Sequence, residues 1–193
     1  HLSIRRQRQM CIRDRGNTTG SSNASLITNG AFTIGRAITV QAGNSGTITI
    51  GGTGAHNSSF TGNITLDKAV TLTADASGTS TFGTGVISGA GAITKSGAGT
   101  VALSGSNTYS GGTTISTGIL SISSDASLGA VPVSTVANSI ILSGGVLQST
   151  GAASLDAKRG ITMTATGGLA ATSSNTLTVN SICLLYTSPS PRD

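Results

Sequence analysis

Short runs of alternating apolar and hydroxyl residues, separated by Gly, Ser and Asn, fill the chain from about residue 16 to residue 182. Ile38-Thr39-Val40-Gln41-Ala42, Thr47-Ile48-Thr49-Ile50, Ala69-Val70-Thr71-Leu72-Thr73-Ala74 and Thr176-Leu177-Thr178-Val179-Asn180 are examples. Successive side chains of a strand point to opposite faces, so the alternation predicts strands with Ile, Val and Leu inward and Thr and Ser outward. The β-branched residues favour the same geometry. Between the runs stand G-N-S-G, G-G-T-G, S-G-A-G, G-S-N and S-G-G, where Gly and Asn tolerate the positive φ of tight corners. No window carries convincing helical spacing over ten residues. The nearest, Ala152 to Lys158, is too short.

A longer period overlies the alternation. Arg36-Ala37-Ile38-Thr39-Val40, Lys68-Ala69-Val70-Thr71-Leu72 and Arg159-Gly160-Ile161-Thr162-Met163 share the order base, small, apolar, Thr, apolar. Gly118-Ile119-Leu120-Ser121 is echoed by Gly145-Val146-Leu147-Gln148. Similarity at such spacing predicts a solenoid, and short strands without crossover helices make it a parallel β-helix. Rungs of roughly 20–30 residues give on the order of six or seven coils. Each strand then pairs with its counterpart in the next rung, and exposed end rungs are expected to fray or aggregate.

Composition supports a thin interior. Charged residues are 9% and aromatic residues 3% of the chain, with no Trp. Gly and Ser in this abundance also mark flexible chains, but a mean hydropathy of +0.18 opposes simple disorder. The net charge of +5 suggests an anionic partner until the charges are placed. Arg5, Arg6, Arg8, Arg13, Arg15 and Arg192 sit at the ends. Between residues 16 and 182, five bases (Arg36, Lys68, Lys95, Lys158, Arg159) face four acids (Asp67, Asp75, Asp125, Asp156). No basic face remains there, and no nucleic-acid partner is expected.

The ends differ in kind from the body and hold both cysteines, Cys11 and Cys183. Arg5 to Asp14 and Cys183 to Asp193 resemble translations of the two adapters used in transposase-based sequencing libraries. Codons for Met10-Cys11-Ile12-Arg13-Asp14-Arg15 exist whose reverse complement reads Cys183-Leu184-Leu185-Tyr186-Thr187. This displaces a terminal disulfide or a basic targeting arm as the reading. Residues 1–15 and 183–193 are expected to be adapter-derived and disordered, and 16–182 to be the β-helix. A signal peptide, an anchor or a catalytic domain of a longer parent is compatible with such ends. No apolar run in the body is long enough for a membrane-spanning helix.

Residues 87–130 carry the most specific pattern. Gly89, Gly91, Lys95, Gly97, Gly99, Thr100, Leu103, Gly105, Asn107, Tyr109, Gly111, Gly112, Thr113, Gly118, Leu120 and Leu128-Gly129 together resemble the autotransporter-associated β-strand repeat, or passenger-associated transport repeat. Gly144 to Gln148 and Lys158 to Thr162 resemble the segments that separate such repeats, and the looser similarity covers most of 28–182. The resemblance implies a right-handed parallel β-helix in a secreted or surface-displayed passenger of a Gram-negative bacterium, with a repeat that assists crossing of the outer membrane. It also implies a translocator β-barrel as partner, although no amphipathic barrel strands with aromatic girdles occur in this sequence.

Candidate chemistry is sparse. Lys95 and Tyr109 belong to the repeat, and packing and corner geometry explain them better than acid–base work, which needs a partner within hydrogen-bond reach. His56 stands alone among Asn and Ser, whereas a metal site needs several ligands. The four body aspartates are scattered, unlike the clustered acids with Arg or Lys of β-helix pectin-degrading enzymes. Gly43-Asn44-Ser45-Gly46 lacks the acid and His of a serine-protease turn, and neither a nucleophile elbow, a phosphate loop nor a calcium-binding repeat occurs. The Asn-x-Ser/Thr triplets at Asn17, Asn23, Asn57 and Asn63 carry little weight in so Ser- and Thr-rich a chain. The expectation is a non-catalytic structural stalk, with no catalytic, cofactor-binding or metal residue and no small-molecule substrate. An adhesin taking a host or matrix surface ligand is the alternative, with 51–62 and 148–158 as its contact loops. A pectin-lyase-like enzyme ranks below it, and an ice-binding solenoid, which needs a regular flat Thr ladder, ranks last.

Overall fold

The computed structural model describes residues 20–185. They form a parallel β-solenoid of about seven turns whose strands stack into three sides. The first side holds eight strands: β1 (Ala24–Thr28), β4 (Ile48–Gly52), β7 (Val70–Ala74), β10 (Ile93–Ser96), β12 (Thr113–Ile115), β14 (Val136–Leu142), β17 (Arg159–Met163) and β20 (Cys183–Leu185). The second holds seven: β2 (Thr33–Ile34), β5 (Asn57–Phe60), β8 (Thr79–Phe82), β11 (Thr100–Leu103), β13 (Ile119–Ile122), β15 (Val146–Ser149) and β18 (Gly168–Ala171). The third is broken. β3 (Ile38–Val40), β6 (Ile64–Leu66) and β9 (Ile87–Gly89) form one ladder, and β16 (Ala153–Leu155) pairs with β19 (Leu177–Val179) in another. Between them the third side has no strand, only a 3-10 turn at Asp125–Leu128.

Register follows the pleat. On the first side Leu26, Ile50, Leu72, Lys95, Ile115, Leu142 and Met163 form one inward column. On the second, Ile34, Phe60, Phe82, Leu103, Ile122 and Ser149 form another. Each fully buried Leu or Ile contributes about 1.5–3 kcal/mol. The Phe60 and Phe82 rings stack with centroids 4.6 Å apart and planes 7° from parallel, a geometry that adds about 1 kcal/mol beyond area burial. Corner asparagines tie rung to rung: Asn23 Oδ1 accepts from Thr47 N–H at 2.7 Å and Asn63 Oδ1 from Val86 N–H at 3.0 Å.

Several expectations from the alternation need correction. Not every hydroxyl faces out: Thr28, Ser58, Ser80, Thr113 and Ser149 are buried. The interior accommodates them because they bond one another or nearby carbonyls, as Thr28 Oγ1 does with Ser58 Oγ at 2.6 Å and Ser80 Oγ with Thr73 O at 2.9 Å. The echo between Ile38 and Val70 does not mark a rung, since β3 and β7 lie on different sides and β3 pairs with β6. The echo of Gly118 to Ser121 in Gly145 to Gln148 does mark one, with Ile119 opposite Val146. The supposed contact loops contain β5 and β16. A Thr ladder exists, with Thr49, Thr71, Thr94 and Thr114 in register, but Ile141 ends it and Thr162 beyond is buried. Finally, Cys183–Leu185, expected to belong to a disordered end, is placed as β20. It extends the first side by pairing with Ile161–Met163, because the open edge of β17 offers a ready ladder. Residues 1–19, which include the first four of the expected β-helix and the Asn17 triplet, and 186–193 lie outside the described residues.

Candidate functional site

The recognisable residues of 87–130 gather at two places, the corner between the first and second sides and the stretch where the third side lacks its strand. Lys95 occupies an inward position of β10 between Leu72 and Ile115, and none of it is exposed. A buried ammonium is costly unless its donors are used. Here Nζ donates to the carbonyls of Ser96 (2.7 Å), Gly97 (2.7 Å) and Thr117 (3.0 Å), joining two successive corners. Burial pulls its pKa down to about 8. Gly118, at φ 66°, closes the same corner: a Cβ there would lie 2.5 Å from the Gly97 and Gly99 carbonyls and 2.8 Å from Lys95 Nζ. The spacing Lys95, Gly97, Gly99, Gly118 is thus the footprint of one packed corner.

Asn107 stands in for the missing strand. Its side-chain carbonyl accepts from Ile87 N–H at 2.9 Å, and its amide donates to Ser127 O at 2.8 Å. Its own N–H donates to Ala126 O at 2.9 Å. One side chain therefore bridges β9 to the 3-10 turn. Tyr109 follows, 1% exposed, with its hydroxyl 2.7 Å from Thr113 Oγ1. Burial pushes its pKa up to about 12, against the Thr113 hydrogen bond and the Arg159 charge, which both lower it. Gly129 leaves room for it, since a Cβ there would meet the Tyr109 carbonyl at 2.3 Å and its ring at 3.0 Å.

Arg159 closes the assembly from β17. Its guanidinium is 2% exposed and fully engaged: Nε donates to Asp125 Oδ1 (2.9 Å), Nη1 to Leu128 O (3.0 Å) and Nη2 to Gly129 O (2.6 Å). Asp125 Oδ1 also accepts from Asp156 N–H at 3.1 Å, and Asp156 Oδ1 caps its own turn through Lys158 N–H at 2.8 Å. The sequence placed Arg159 only in an echo of β-strand pattern and missed this clasp, as it missed the meeting of Asp125 and Asp156. The rarity of buried-body charges was the available signal: few bases serve a body so neutral, and a lone Arg beside a strand start needs acceptors. Both carboxylates are spent on holding backbone and guanidinium in place.

The remaining candidates stay apart. His56 is exposed at the approach to β5, and Asp67 and Asp75 are exposed at corners, with Asp75 Oδ2 accepting from Gly54 N–H at 2.8 Å. Among the described residues no three His, Cys, Asp or Glu side chains come together. A recess of about 430 Å³ opens beside the clasp, lined by Gly112, Leu128, Val131, Val133, Val136 and Arg159 among others. Its walls are largely apolar, and its one charged group is already bonded.

Residues 93–122 match the family model described as Passenger-associated-transport-repeat. No curated protein and no solved structure matches the chain. The matched segment spans β10 to β13, two successive strands on each of the first and second sides, and contains Lys95, Asn107, Tyr109 and Gly118. That family implies a secreted or surface location. With its corner lysine, its bridging asparagine and its place within a parallel stack, this stretch is a passenger-associated transport repeat of the autotransporter passenger type, carried by a β-solenoid.

Proposed function

We propose that the chain is a non-catalytic stalk segment of a secreted or surface-displayed passenger, and that its repeat assists passage through an outer-membrane translocator barrel. The observation that carries this reading is the repeat's placement as a rung within the stack, with Lys95, Asn107 and Tyr109 all turned inward. Groups committed to three carbonyls, to two backbone partners and to a threonine hydroxyl are poor acids or bases for a substrate. A body with few charges and pairing only between neighbouring rungs suits a chain that enters a pore extended and stacks after leaving it.

The register supplies a clean test. Ile93 lies opposite Thr113, so deleting 93–112 removes one whole rung and leaves the ladder in step. Thr49 lies opposite Thr71, so deleting 49–70 removes one rung outside the repeat. With the chain placed between a signal peptide and an outer-membrane barrel, surface-exposed passenger is measured on intact cells. The first deletion is expected to lower display severalfold and the second to leave it near normal. Equal display from both deletions would sink the assisting role.

A second reading, a module binding a host or matrix surface, is favoured by the exposed apolar side chains of Val131, Val133 and Val136 in the segment that follows the repeat. Replacing 131–135 with Gly and Ser should then abolish binding to cells or matrix while display persists. Unchanged binding removes this reading.

A further inference from the structure

We propose that the loop after the repeat is a specific cleavage site for a serine protease with a small aliphatic S1 pocket, and that the nicked solenoid stays assembled. The inference does not rest on the stalk reading. Among the described residues, no backbone group from Val131 to Thr135 takes part in a hydrogen bond. The stretch is held only at its ends, by Ala130 N–H to Tyr109 O and Val136 N–H to Lys158 O, both 2.9 Å. Elsewhere the described backbone is tied at closer intervals by ladders and corner bonds. A protease must bind its substrate as an unpaired, extended segment; this loop bends at Val133 and Ser134, and with no backbone bond of its own to break it can straighten without unfolding a rung.

Side chains select the enzyme class. Val133 is 96% exposed, and Val131 and Val136 are 41% and 43% exposed. The order Ala130-Val131-Pro132-Val133-Ser134 places a small aliphatic residue before the scissile bond, preceded by a proline that biases Val131 toward extended backbone. A shallow S1 pocket, as in elastase, takes such a residue, whereas trypsin-type and chymotrypsin-type pockets need a base or an aromatic ring. No base and no aromatic lies between Ala130 and Val136. Hydrolysis breaks the Val133–Ser134 peptide bond. Water supplies OH to the Val133 carbonyl carbon and H to the Ser134 nitrogen, leaving a new carboxylate and a new ammonium.

The clasp decides what happens next. Asp125, Leu128 and Gly129 lie before the cut, and Arg159, which binds all three, lies after it. β12 pairs with β14 and β13 with β15 across the same point. Both ends of the loop are therefore anchored independently of its own continuity.

The test is limited digestion of the folded full chain with pancreatic elastase, with the cut sites mapped by mass spectrometry and the products run on a sizing column in native buffer. One cut among residues 20–185, after Val133, is expected, with both fragments co-eluting at the intact position and separating in denaturant. Val133→Asp should slow that cut by more than about ten-fold, since an apolar pocket rejects a carboxylate, while the circular dichroism spectrum stays unchanged. Cuts scattered through other rungs, or a Val133→Asp chain cleaved as fast as its parent, would overturn the site. Fragments that part in native buffer would overturn the persistence of the assembly.

Discussion

The third side of the solenoid is built in two ways, and the contrast shows what closes a rung. Around β3, β6 and β9 it is a backbone ladder, with Val40 and Leu66 inward and successive strands supplying each other's hydrogen bonds. In the next two rungs no strand is present on this side, and side chains do the same work. Asn107 supplies one acceptor and one donor, Arg159 supplies three donors, and Asp125 accepts one of these and another from Asp156 N–H. A ladder depends on no single residue, because its donors belong to every residue type. A side-chain closure depends on a few identities, which is why this stretch has a recognisable motif and the other rungs do not.

The largest effect separating the two constructions is expected from Arg159→Met. Removing the guanidinium leaves a partly buried Asp125 with only the Asp156 N–H, and the Leu128 and Gly129 carbonyls without a partner, a loss on the order of 3–5 kcal/mol for a broken buried pair. Urea unfolding gives the magnitude and amide exchange its location: Asn107 and Ala130 should lose protection while Ile38 and Ile64 keep theirs. Uniform loss along the stack would erase the distinction between the two halves of the side. A smaller effect is expected from Asn107→Ala, which orphans the Ile87 N–H and the Ser127 carbonyl at a cost of about 2 kcal/mol. If the chain tolerates it with no change in midpoint, the turn closes without its bridge.

A third effect is electrostatic and should also be local. Lys95 has its folded pKa lowered to about 8 from 10.5. Between those values the unfolded chain holds the extra proton, so raising the pH favours the folded state. Tyr109 has its value raised to about 12 from 10.0, so above pH 10 the folded chain retains a proton that the unfolded chain releases, and stability falls again. Stability is expected to climb from pH 8, crest near pH 10 and decline toward 12. Lys95→Met should remove the climb and Tyr109→Phe the decline. The buried polar groups of the earlier rungs, Thr28, Ser58 and Ser80, do not titrate in this range.

How much of this was legible in the sequence depends on which interaction sets each feature. Strand identity was legible, because the alternation at Ala69–Ala74 and Thr176–Asn180 is a local property and β7 and β19 lie there. Register was legible only in part. Every inward–outward strand resembles every other, so Ile38-Thr39-Val40 matched Val70-Thr71-Leu72 although their partners differ. Gly118 and Gly145 gave a true register because a corner glycine answers to a neighbour's carbonyl, not merely to the pleat. The Arg159 clasp spans 30 to 34 residues, beyond any local pattern, and the loop at 131–135 carries no glycine to announce it. The side chains at 51–62 and 148–158 looked irregular because Ser, Asn and Ala occupy strand positions that a longer hydrophobe usually fills.

The rung spacing bears on how such a rod behaves under load. Register partners on the first side lie between 20 residues apart, as Ile93 and Thr113 do, and 27 apart, as Thr113 and Ile140 do. Tension applied along the axis meets one rung's hydrogen bonds at a time, and each rung released adds roughly 65–95 Å of slack at about 3.3–3.6 Å per residue. A tether built this way yields in comparable steps and absorbs work at each one. The clasped rungs, pinned by Arg159 across their neighbours, would then be the stiff link at which the unzipping pauses.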